Sequence, residues 1–250
     1  MEILGLDIGG SGIKGAIVNT ITGALISKRH RIPTPKPSNP ALMGAVVSSL
    51  VEHFDWKGPV GCSFPTVIVD GKCRTEGNLS PGWVGVKLDD FLSEQCGGLQ
   101  FYVGNDADLA GIAEMKLGAG KNKKGKVVLI TIGTGLGSGV FNNQKLVSNV
   151  ELGRIFHTDG RPIEFFASDS ARKRERLSLK EWAKRFDFFL NHVDRILSPN
   201  YFIIGGGLSK KFKEFKDDLT VDVPVEIACF KNNAGIIGAA MFAMENIENE

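Results

Sequence analysis

Long apolar runs, clustered cysteines and a large excess of one charge are all absent from this sequence of 250 residues. No apolar run reaches the roughly 18 residues that a membrane-spanning helix needs, so we expect no membrane partner. The formal net charge of +2 at pH 7 does not favour nucleic acid as a partner. The chain opens with strand-like residues instead of a basic stretch followed by an apolar one, which predicts a cytoplasmic protein without a secretory leader.

The four cysteines stand far apart, and no two of them form a C-x-x-C pair. Scattered cysteines are typical of intracellular proteins, and their spacing argues against a zinc site made of cysteines. Hydrophobic residues make up 42% of the chain and charged residues 23%, a balance typical of globular proteins. The length allows one large domain or two small ones.

Both halves of the chain open with a strand, a glycine-rich turn and a second strand, and continue as alternating helices and strands. In the first half we expect strands over 2–8, 13–18 and 24–32, and in the second half over 126–132, 138–142 and 145–149. Further strands are expected at 58–64, 100–104, 201–204 and 224–228, and helices at 41–54, 178–197 and 234–246 and from Asn105 and Ser209. Residues 65–86 are rich in turn formers, which predicts a long irregular segment that leaves the sheet.

This shared plan predicts an internal duplication with two α/β lobes. We assign residues 1–110 to the first lobe and 111–233 to the second, and we expect the C-terminal segment 234–250 to pack back on the first. Each lobe then has the usual size of a domain. A ligand is expected in the cleft between the lobes.

The first glycine-rich turn lies in the segment DIGGSGIK, residues 7–14. Its glycines allow backbone N–H groups to face one concavity, which suits phosphate oxygens. Asp7 could hold Mg²⁺ directly or through water, and Lys14 could neutralise phosphate charge. Taken alone, the segment is more simply explained as a tight hairpin whose glycines only supply positive φ angles.

The second glycine-rich turn has the same chemistry, with Gly133, Gly135, Gly137 and Gly139 inside seven residues. So many glycines are costly in backbone entropy for a plain hairpin, and two such turns at matching places favour phosphate binding. Neither turn is a G-x-x-x-x-G-K-[ST] loop or leads at once into a helix, which argues against P-loop and Rossmann sites. A third break, over 205–207, could line the far end of a donor site.

A candidate general base stands where a strand meets a helix, in the segment GNDAD over 104–108. A hydroxyl nucleophile needs a carboxylate within hydrogen-bond reach, and Asp106 at a helix N-terminus would stay ionised. The alternative is that Asn105 or Asp106 only caps the helix. Polar residues over 77–83 and 151–153 could read sugar hydroxyls, or could be ordinary turns.

Basic residues cluster over 121–126, 172–176 and 210–216. Each cluster is most simply explained as a solvated face. A polyphosphate chain would nevertheless need a basic track of this kind beyond the cleft.

Four segments in this order resemble the ROK family of sugar kinases, and among them the polyphosphate glucokinases: DIGGSGIKGAIV, GNDADLAGIAE, TIGTGLGSGVFNNQKLVSNVELG and NYFIIGGGLS. The resemblance covers nearly the whole chain. It implies an α/β protein with the duplicated actin/hexokinase-like (ribonuclease H-like) fold. It also implies a kinase that phosphorylates the 6-hydroxyl of glucose or a related hexose from polyphosphate or ATP, uses Mg²⁺ and forms a homodimer.

The resemblance further implies roles for individual residues. Asp106 would be the catalytic base and Asn105 would bind a sugar hydroxyl. Asn78, Glu151 and, on a looser alignment, Glu164 would also contact the sugar. Asp7 would help to hold Mg²⁺. The residues that would bind the phosphoryl donor are Asp7, Gly9, Gly10, Gly12, Lys14, Gly133, Thr134, Gly135, Gly137, Gly205, Gly206 and Gly207.

The chain departs from the family pattern at the sugar pocket, where Glu-x-Gly-His is replaced by Glu151-Leu152-Gly153-Arg154. A guanidinium only donates hydrogen bonds and is always charged, whereas a neutral imidazole both donates and accepts. Arg154 could alter the choice of sugar, pair with Glu151 or clamp a phosphate, and His157 is a candidate substitute for the missing histidine. Two alternatives stay open: an ATP-dependent kinase of another hexose or amino sugar, and a non-catalytic ROK-type sugar-binding protein.

Overall fold

The computed structural model of the chain describes residues 1–77 and 79–249. The chain divides into two compact units. One comprises Met1–Ala113 and the chain from Asn233 onward, and the other comprises Glu114–Asn232. Each unit is built on a five-stranded sheet.

The first unit contains an antiparallel meander extended by parallel strands. Its strands are β1 (Glu2–Gly9), β2 (Gly12–Asn19), β3 (His30–Ile32), β4 (Val60–Phe64), β5 (Ile68–Val69), β6 (Lys72–Cys73) and β7 (Phe101–Asn105). The main sheet has the order β3-β2-β1-β4-β7, in which β4 and β7 run parallel to β1, and β5 pairs with β6 in a separate two-stranded sheet. The helices are α1 (Pro40–His53), α2 (Leu88–Gln95) and α3 (Asp106–Leu117), which runs on past the boundary of the unit.

Alternation along β1 assigns each of its faces to a different layer. Leu4, Leu6 and Ile8 lie in the core that α1 and α2 cover. The opposite face packs on the C-terminal helix, Ala234–Asn249, which is α8 in chain order. A Cβ at Gly5 or Gly61 would overlap the α8 backbone, so glycine at these positions lets the helix lie close on the sheet.

The second unit repeats the plan of meander and parallel strands. Its sheet has the order β10-β9-β8-β11-β12, formed by β8 (Lys126–Ile132), β9 (Leu136–Asn142), β10 (Lys145–Val147), β11 (Tyr201–Gly206) and β12 (Val225–Ile227). The helices are α4 (Glu164–Ala167), α5 (Asp169–Arg174), α6 (Leu179–Leu197) and α7 (Phe212–Phe215). A capping box of Ser178 and Glu181 starts α6, which buries one face of Trp182, Phe186, Phe189, Leu190 and Val193.

Most predicted elements are present, but two expectations are wrong and one helix was missed. The strand expected over 24–32 is only His30–Ile32, because the side chain of Ser27 accepts the Ile17 N–H that a longer strand would use. The helix expected from Ser209 is a 3-10 segment, Gly207–Lys211, followed by the single turn of α7. Helix α2 was not predicted: Leu88, Phe91 and Leu92 follow helical spacing, but the helix has only eight residues and follows a segment rich in turn formers. Over the described part of the chain, no helix combines the length and apolarity that crossing a membrane requires.

Candidate active site

A row of polar side chains crosses the sheet of the first unit where β1 ends. Lys14 and Ser63 are the register partners of Asp7 on the strands to either side, so all three side chains share one face. Lys14 Nζ lies 2.7 Å from Asp7 Oδ2, and Ser63 Oγ donates to Asp7 Oδ1 at 3.1 Å. A Cβ at Gly235, in the first turn of α8, would lie 2.6 Å from Asp7 Oδ2. The carboxylate is therefore fixed by a cation, a hydroxyl and the close approach of a helix N-terminus.

The first glycine turn directly follows this row. Gly9 and Gly12 form the last pair of the β1–β2 register, and Gly10 and Ser11 make the exposed tip between them. Two side chains from the following segment hold the turn. Thr34 Oγ1 donates to the carbonyl oxygen of Gly9 at 2.5 Å, and Arg31 Nη2 donates to that of Ser11 at 2.5 Å.

Asn105 and Asp106 mark the junction of β7 and α3. Asn105 Oδ1 accepts the N–H groups of Ala107 at 2.9 Å and Asp108 at 3.2 Å, so Asn105 caps the helix. Its Nδ2 donates to the Thr66 carbonyl oxygen at 3.1 Å, and the residue is 5% exposed. The capping alternative thus holds for Asn105, while its contact with a sugar stays a prediction. Asp106 is the first residue of α3, partly exposed, and its Oδ1 accepts the Ala107 N–H at 2.8 Å.

The two aspartates of the first unit lie at the same edge of its sheet. Strands β1, β4 and β7 are parallel neighbours in that order, so Asp7 and Asp106 both lie near carboxyl ends. Two strand spacings separate their strands, which is about 10 Å. This edge is where open α/β sheets bind ligands.

The second glycine turn joins β8 to β9. The Gly133 N–H donates to the Gly135 carbonyl oxygen at 3.1 Å, with Thr134 exposed between them. The Leu136 N–H donates to Glu164 Oε2 at 3.3 Å. Glu164, predicted as a sugar contact, therefore lies against the turn predicted to bind phosphate.

The third glycine segment lies beside the second turn. Gly206 is the register partner of Ile132 on the adjacent parallel strand, and Gly137 pairs with Thr131 on the other side. Gly206 has a φ of +80°, and any Cβ there would crowd the Ile132 backbone. Gly205 and Gly207 flank it, so the structure brings these predicted donor residues of the second unit to one edge.

Glu151 and Arg154 also belong to this edge. Gly153 lies so close to the second turn that a Cβ would overlap the Leu136 carbonyl oxygen. Arg154 Nε lies 3.7 Å from Glu151 Oε2. Pairing with Glu151 is one of the three roles suggested for this arginine from the sequence. Burial raises the pKa of the Glu151 carboxyl; the Arg154 charge opposes the shift and the Glu164 charge adds to it.

His157 packs inside its own unit. Its ring stacks on that of Phe166, with centroids 4.3 Å apart, and its Nδ1 lies 3.3 Å from Asp159 Oδ1. Its suggested role as a substitute for the missing histidine stays a prediction.

Asn78, a predicted sugar contact, lies outside the described residues. Among the described residues near it, Trp83 is fully buried and its Nε1 donates to the Ser38 carbonyl oxygen at 2.8 Å. Ser38 and Ser80 also exchange backbone-to-hydroxyl hydrogen bonds of 2.9 Å. Ser80 and Trp83 of the expected polar loop are thus both held by Ser38.

Several members of the basic clusters are ion-paired. Lys123 Nζ lies 2.6 Å from Glu226 Oε1. Arg172 and Lys173 both pair with Asp169, at 2.8 and 2.6 Å. These contacts favour the interpretation of the clusters as structured surface.

Sequence reasoning missed the residues that support the first turn and its carboxylate. Ser63, Arg31 and Thr34 are ordinary residue types without a motif, and none was singled out. The signal of Ser63 and Arg31 is the strand register, which requires knowing which strands are neighbours, and Thr34 follows the end of β3.

Comparison with known proteins gives consistent results. The model of the ROK family matches residues 3–162. A polyphosphate glucokinase of Mycobacterium tuberculosis (strain CDC 1551 / Oshkosh) is 40% identical over 237 residues, which are 95% of this chain and 89% of the relative.

Solved structures agree with this result. The inorganic polyphosphate/ATP-glucomannokinase from Arthrobacter sp. strain KM is 38% identical, with a TM-score of 0.93 over 98% of this chain and 99% of that one. A ROK family glucokinase from Streptomyces griseus, in complex with glucose and AMPPNP, is 22% identical, with a TM-score of 0.83 over 98% of this chain and 100% of that one. The likenesses confirm the resemblance and the actin/hexokinase-like fold class predicted from the sequence, while the roles of the single residues stay predictions.

Proposed function

We propose that this chain, which belongs to the ROK family, is a sugar kinase that transfers a phosphoryl group from inorganic polyphosphate or ATP to the 6-hydroxyl of glucose or a related hexose. The observation that carries the proposal is the 40% identity with a polyphosphate glucokinase over 95% of the chain. Two glycine turns at matching strand ends supply the phosphate-binding chemistry that such a transfer needs.

Asp106 is the proposed general base. A carboxylate accepts the proton of the attacking hydroxyl if it lies within hydrogen-bond reach. Its position as the first residue of α3 favours the charged form through the helix dipole. By capping α3, Asn105 fixes the start of the helix and with it the position of Asp106.

The proposal places Mg²⁺ near Asp7, with water between the ion and the carboxylate. Mg²⁺ usually binds through one or two carboxylates, several waters and the phosphates of the substrate. Asp7 offers one carboxylate whose two oxygens already contact Lys14 and Ser63, so contact through water fits it better than direct ligation. Within residues 1–77 and 79–249, no three acidic, histidine or cysteine side chains form a metal site. When bound, the ion supplies positive charge to the phosphoryl oxygens.

The sugar contacts proposed in the second unit are Glu151, Glu164 and Arg154. A half-buried carboxylate such as Glu151 accepts two sugar hydroxyls, and its pairing with Arg154 keeps it oriented. A pocket that matches the hydroxyls of one sugar rejects an epimer by leaving polar groups unpaired.

Two further properties complete the proposal. We expect a homodimer, as the family resemblance implies, and light scattering on the purified chain would measure its mass. We also expect a cytoplasmic location, in keeping with four cysteines that are all free thiols.

A panel of donors and sugars tests the proposal. Purified protein with Mg²⁺ receives long-chain polyphosphate or ATP and one of glucose, mannose or an amino sugar, and the sugar phosphate is assayed. Product from glucose with either donor supports the proposal. Product only from ATP and another sugar supports the alternative kinase, and hexose binding without any product supports a non-catalytic binder.

A further inference from the structure

We propose that the Arg31 side chain binds the phosphate oxygens of the donor at the first glycine turn, and that it also stabilises the conformation of this turn. The inference rests on the proposed function for the identity of the donor. The task falls to Arg31 because Lys14, the obvious candidate by sequence, already serves the Asp7 carboxylate.

The pairing of Lys14 leaves the turn without a net positive charge of its own. Lys14 Nζ lies 2.7 Å from Asp7 Oδ2, and the two side chains are only 22% and 15% exposed. A close, partly buried pair has no net charge to offer a polyanion. Gripping the donor with Lys14 would require breaking a charge-assisted hydrogen bond.

Arg31 lies next in the same row. It is the register partner of Lys14 on β3, so Asp7, Lys14 and Arg31 follow one another across three strands. Its Nη2 donates to the Ser11 carbonyl oxygen at 2.5 Å, and the residue is exposed. Within residues 1–77 and 79–249, no carboxylate forms an ion pair with Arg31.

The guanidinium group suits phosphate oxygens. It has five N–H donors in one plane and binds oxyanions through two parallel hydrogen bonds. One donor engages the turn, which orients the plane while the others remain available. Since the γ-phosphate of ATP and the end of a polyphosphate chain present the same oxygens, the chemistry covers both donors.

Gly12 is the residue that admits Arg31 to this place. A Cβ on Gly12 would overlap the guanidinium, which lies directly against the turn. Gly12 has no positive φ angle, so alanine meets no backbone strain there. Gly12→Ala therefore displaces Arg31 without removing it.

The test compares Arg31→Gln, Arg31→Lys and the control Arg29→Gln. Arg29 is also exposed and lies two residues earlier, but its Nη1 donates to Asn233 Oδ1 at 3.0 Å. Calorimetry measures the binding of tripolyphosphate and of ATP with Mg²⁺, and kinetics measure the KM of donor and glucose. We expect Arg31→Gln to weaken binding of both donors by about tenfold or more, with the KM of glucose unchanged. Arg31→Lys should recover part of the lost donor affinity, because lysine keeps the positive charge but not the planar set of N–H donors.

A double mutant extends the test to the geometry. If Gly12→Ala acts by displacing Arg31, adding Arg31→Gln to it should weaken donor binding by less than the two single effects combined. Full additivity of the two changes would contradict the displacement.

Three outcomes would overturn the inference: unchanged donor binding in Arg31→Gln with only a lower Tm, an equal loss in Arg29→Gln, or no binding of either donor by the wild type. Failure of the proposed function gives a different signature. A wild type that binds tripolyphosphate through Arg31 but forms no sugar phosphate would refute the kinase and leave Arg31 as an anion site.

Discussion

Asp7 and Asp106 are chemically identical and lie at one edge of the same sheet, yet their surroundings suit different tasks. Asp7 is held by the ammonium of Lys14 and the hydroxyl of Ser63, which fixes its charge in place. Asp106 begins a helix whose cap is the neighbouring Asn105. A fixed, paired charge suits the organisation of phosphates and their ion, whereas a partly exposed carboxylate at the start of a helix suits proton transfer.

Asp106→Asn tests the assignment of the base. We expect kcat to fall by about 10²- to 10⁴-fold, because the amide cannot accept the hydroxyl proton. The KM values should change little, since the amide keeps the size of the side chain and the Oδ1 that accepts the Ala107 N–H. Asp90→Asn, the same change in the exposed first turn of α2, is the matched control. Near-normal turnover in Asp106→Asn would remove Asp106 from this role.

Arg154→Leu tests the coupling of the sugar site to pH. Burial raises the pKa of Glu151 and Arg154 lowers it, so loss of the arginine should raise this pKa further. If the ionised carboxylate binds the sugar, the acid limb of the pH profile of kcat/KM should then move to higher pH. A limb that stays in place would show that Glu151 does not control sugar binding.

The raised pKa of Glu151 also predicts how the stability of the fold depends on pH. A carboxyl whose pKa is raised by folding contributes stability below its unfolded pKa, and this contribution is lost as the pH rises through the folded pKa. Between the unfolded and the folded pKa of Glu151, the wild type loses stability as the pH rises, whereas a glutamine does not titrate. Glu151→Gln should therefore gain stability relative to the wild type over this pH range. The difference between the two melting temperatures, followed from acid to neutral pH, measures it.

At the scale of elements, a buried carboxylate ties three segments of the second unit. Glu114 is fully buried on α3, and its Oε atoms accept the N–H groups of Ala119 at 3.0 Å, Cys229 at 2.9 Å and Phe230 at 2.8 Å. Glu114→Gln replaces one acceptor oxygen with a donor that faces these N–H groups. We expect a loss of about 3 kcal/mol in the free energy of unfolding. Urea unfolding measures it against Glu248→Gln, an exposed change on α8.

The close packing of α8 on the sheet gives a second test at this scale. A Cβ at Gly61 would overlap the Ala239 carbonyl oxygen, and neither backbone can yield easily. Gly61→Ala should cost roughly 2–3 kcal/mol of stability. Gly97→Ala is the contrast, because a Cβ there meets no atom within 4 Å and only its φ of +67° resists. Equal losses in both variants would contradict the packing account.

Elements with strong periodicity could be predicted, while short ones could not. The long face of α6 is visible in the sequence because many side chains repeat one pattern, and the apolar run of β1 indicates a buried strand. Helix α2 has only eight residues, so its short helical spacing was missed. The segment after Gly207 has helical spacing in the sequence but forms a 3-10 segment and a single helical turn. Among site residues, the glycine turns were visible, but Arg31 and Ser63 depend on which strands become neighbours, which local pattern does not encode.

At the scale of the whole molecule, the duplication gives each unit a glycine-rich turn between the first two strands of its sheet. Each sheet has a meander whose first turn is rich in glycine and lies at the carboxyl ends of parallel strands. The unit with Asp7 and Asp106 supplies the charged groups proposed for transfer, and the unit with Glu151 and Arg154 supplies groups proposed for the sugar.

The most direct test of this account is phosphorus NMR of the wild-type protein with Mg²⁺, glucose and either long-chain polyphosphate or ATP. The account predicts that the resonance of glucose 6-phosphate grows while the donor is consumed, and that Asp106→Asn under the same conditions produces it at least about 100-fold more slowly. The absence of any sugar phosphate from the wild type with both donors, across glucose, mannose and an amino sugar, would contradict it.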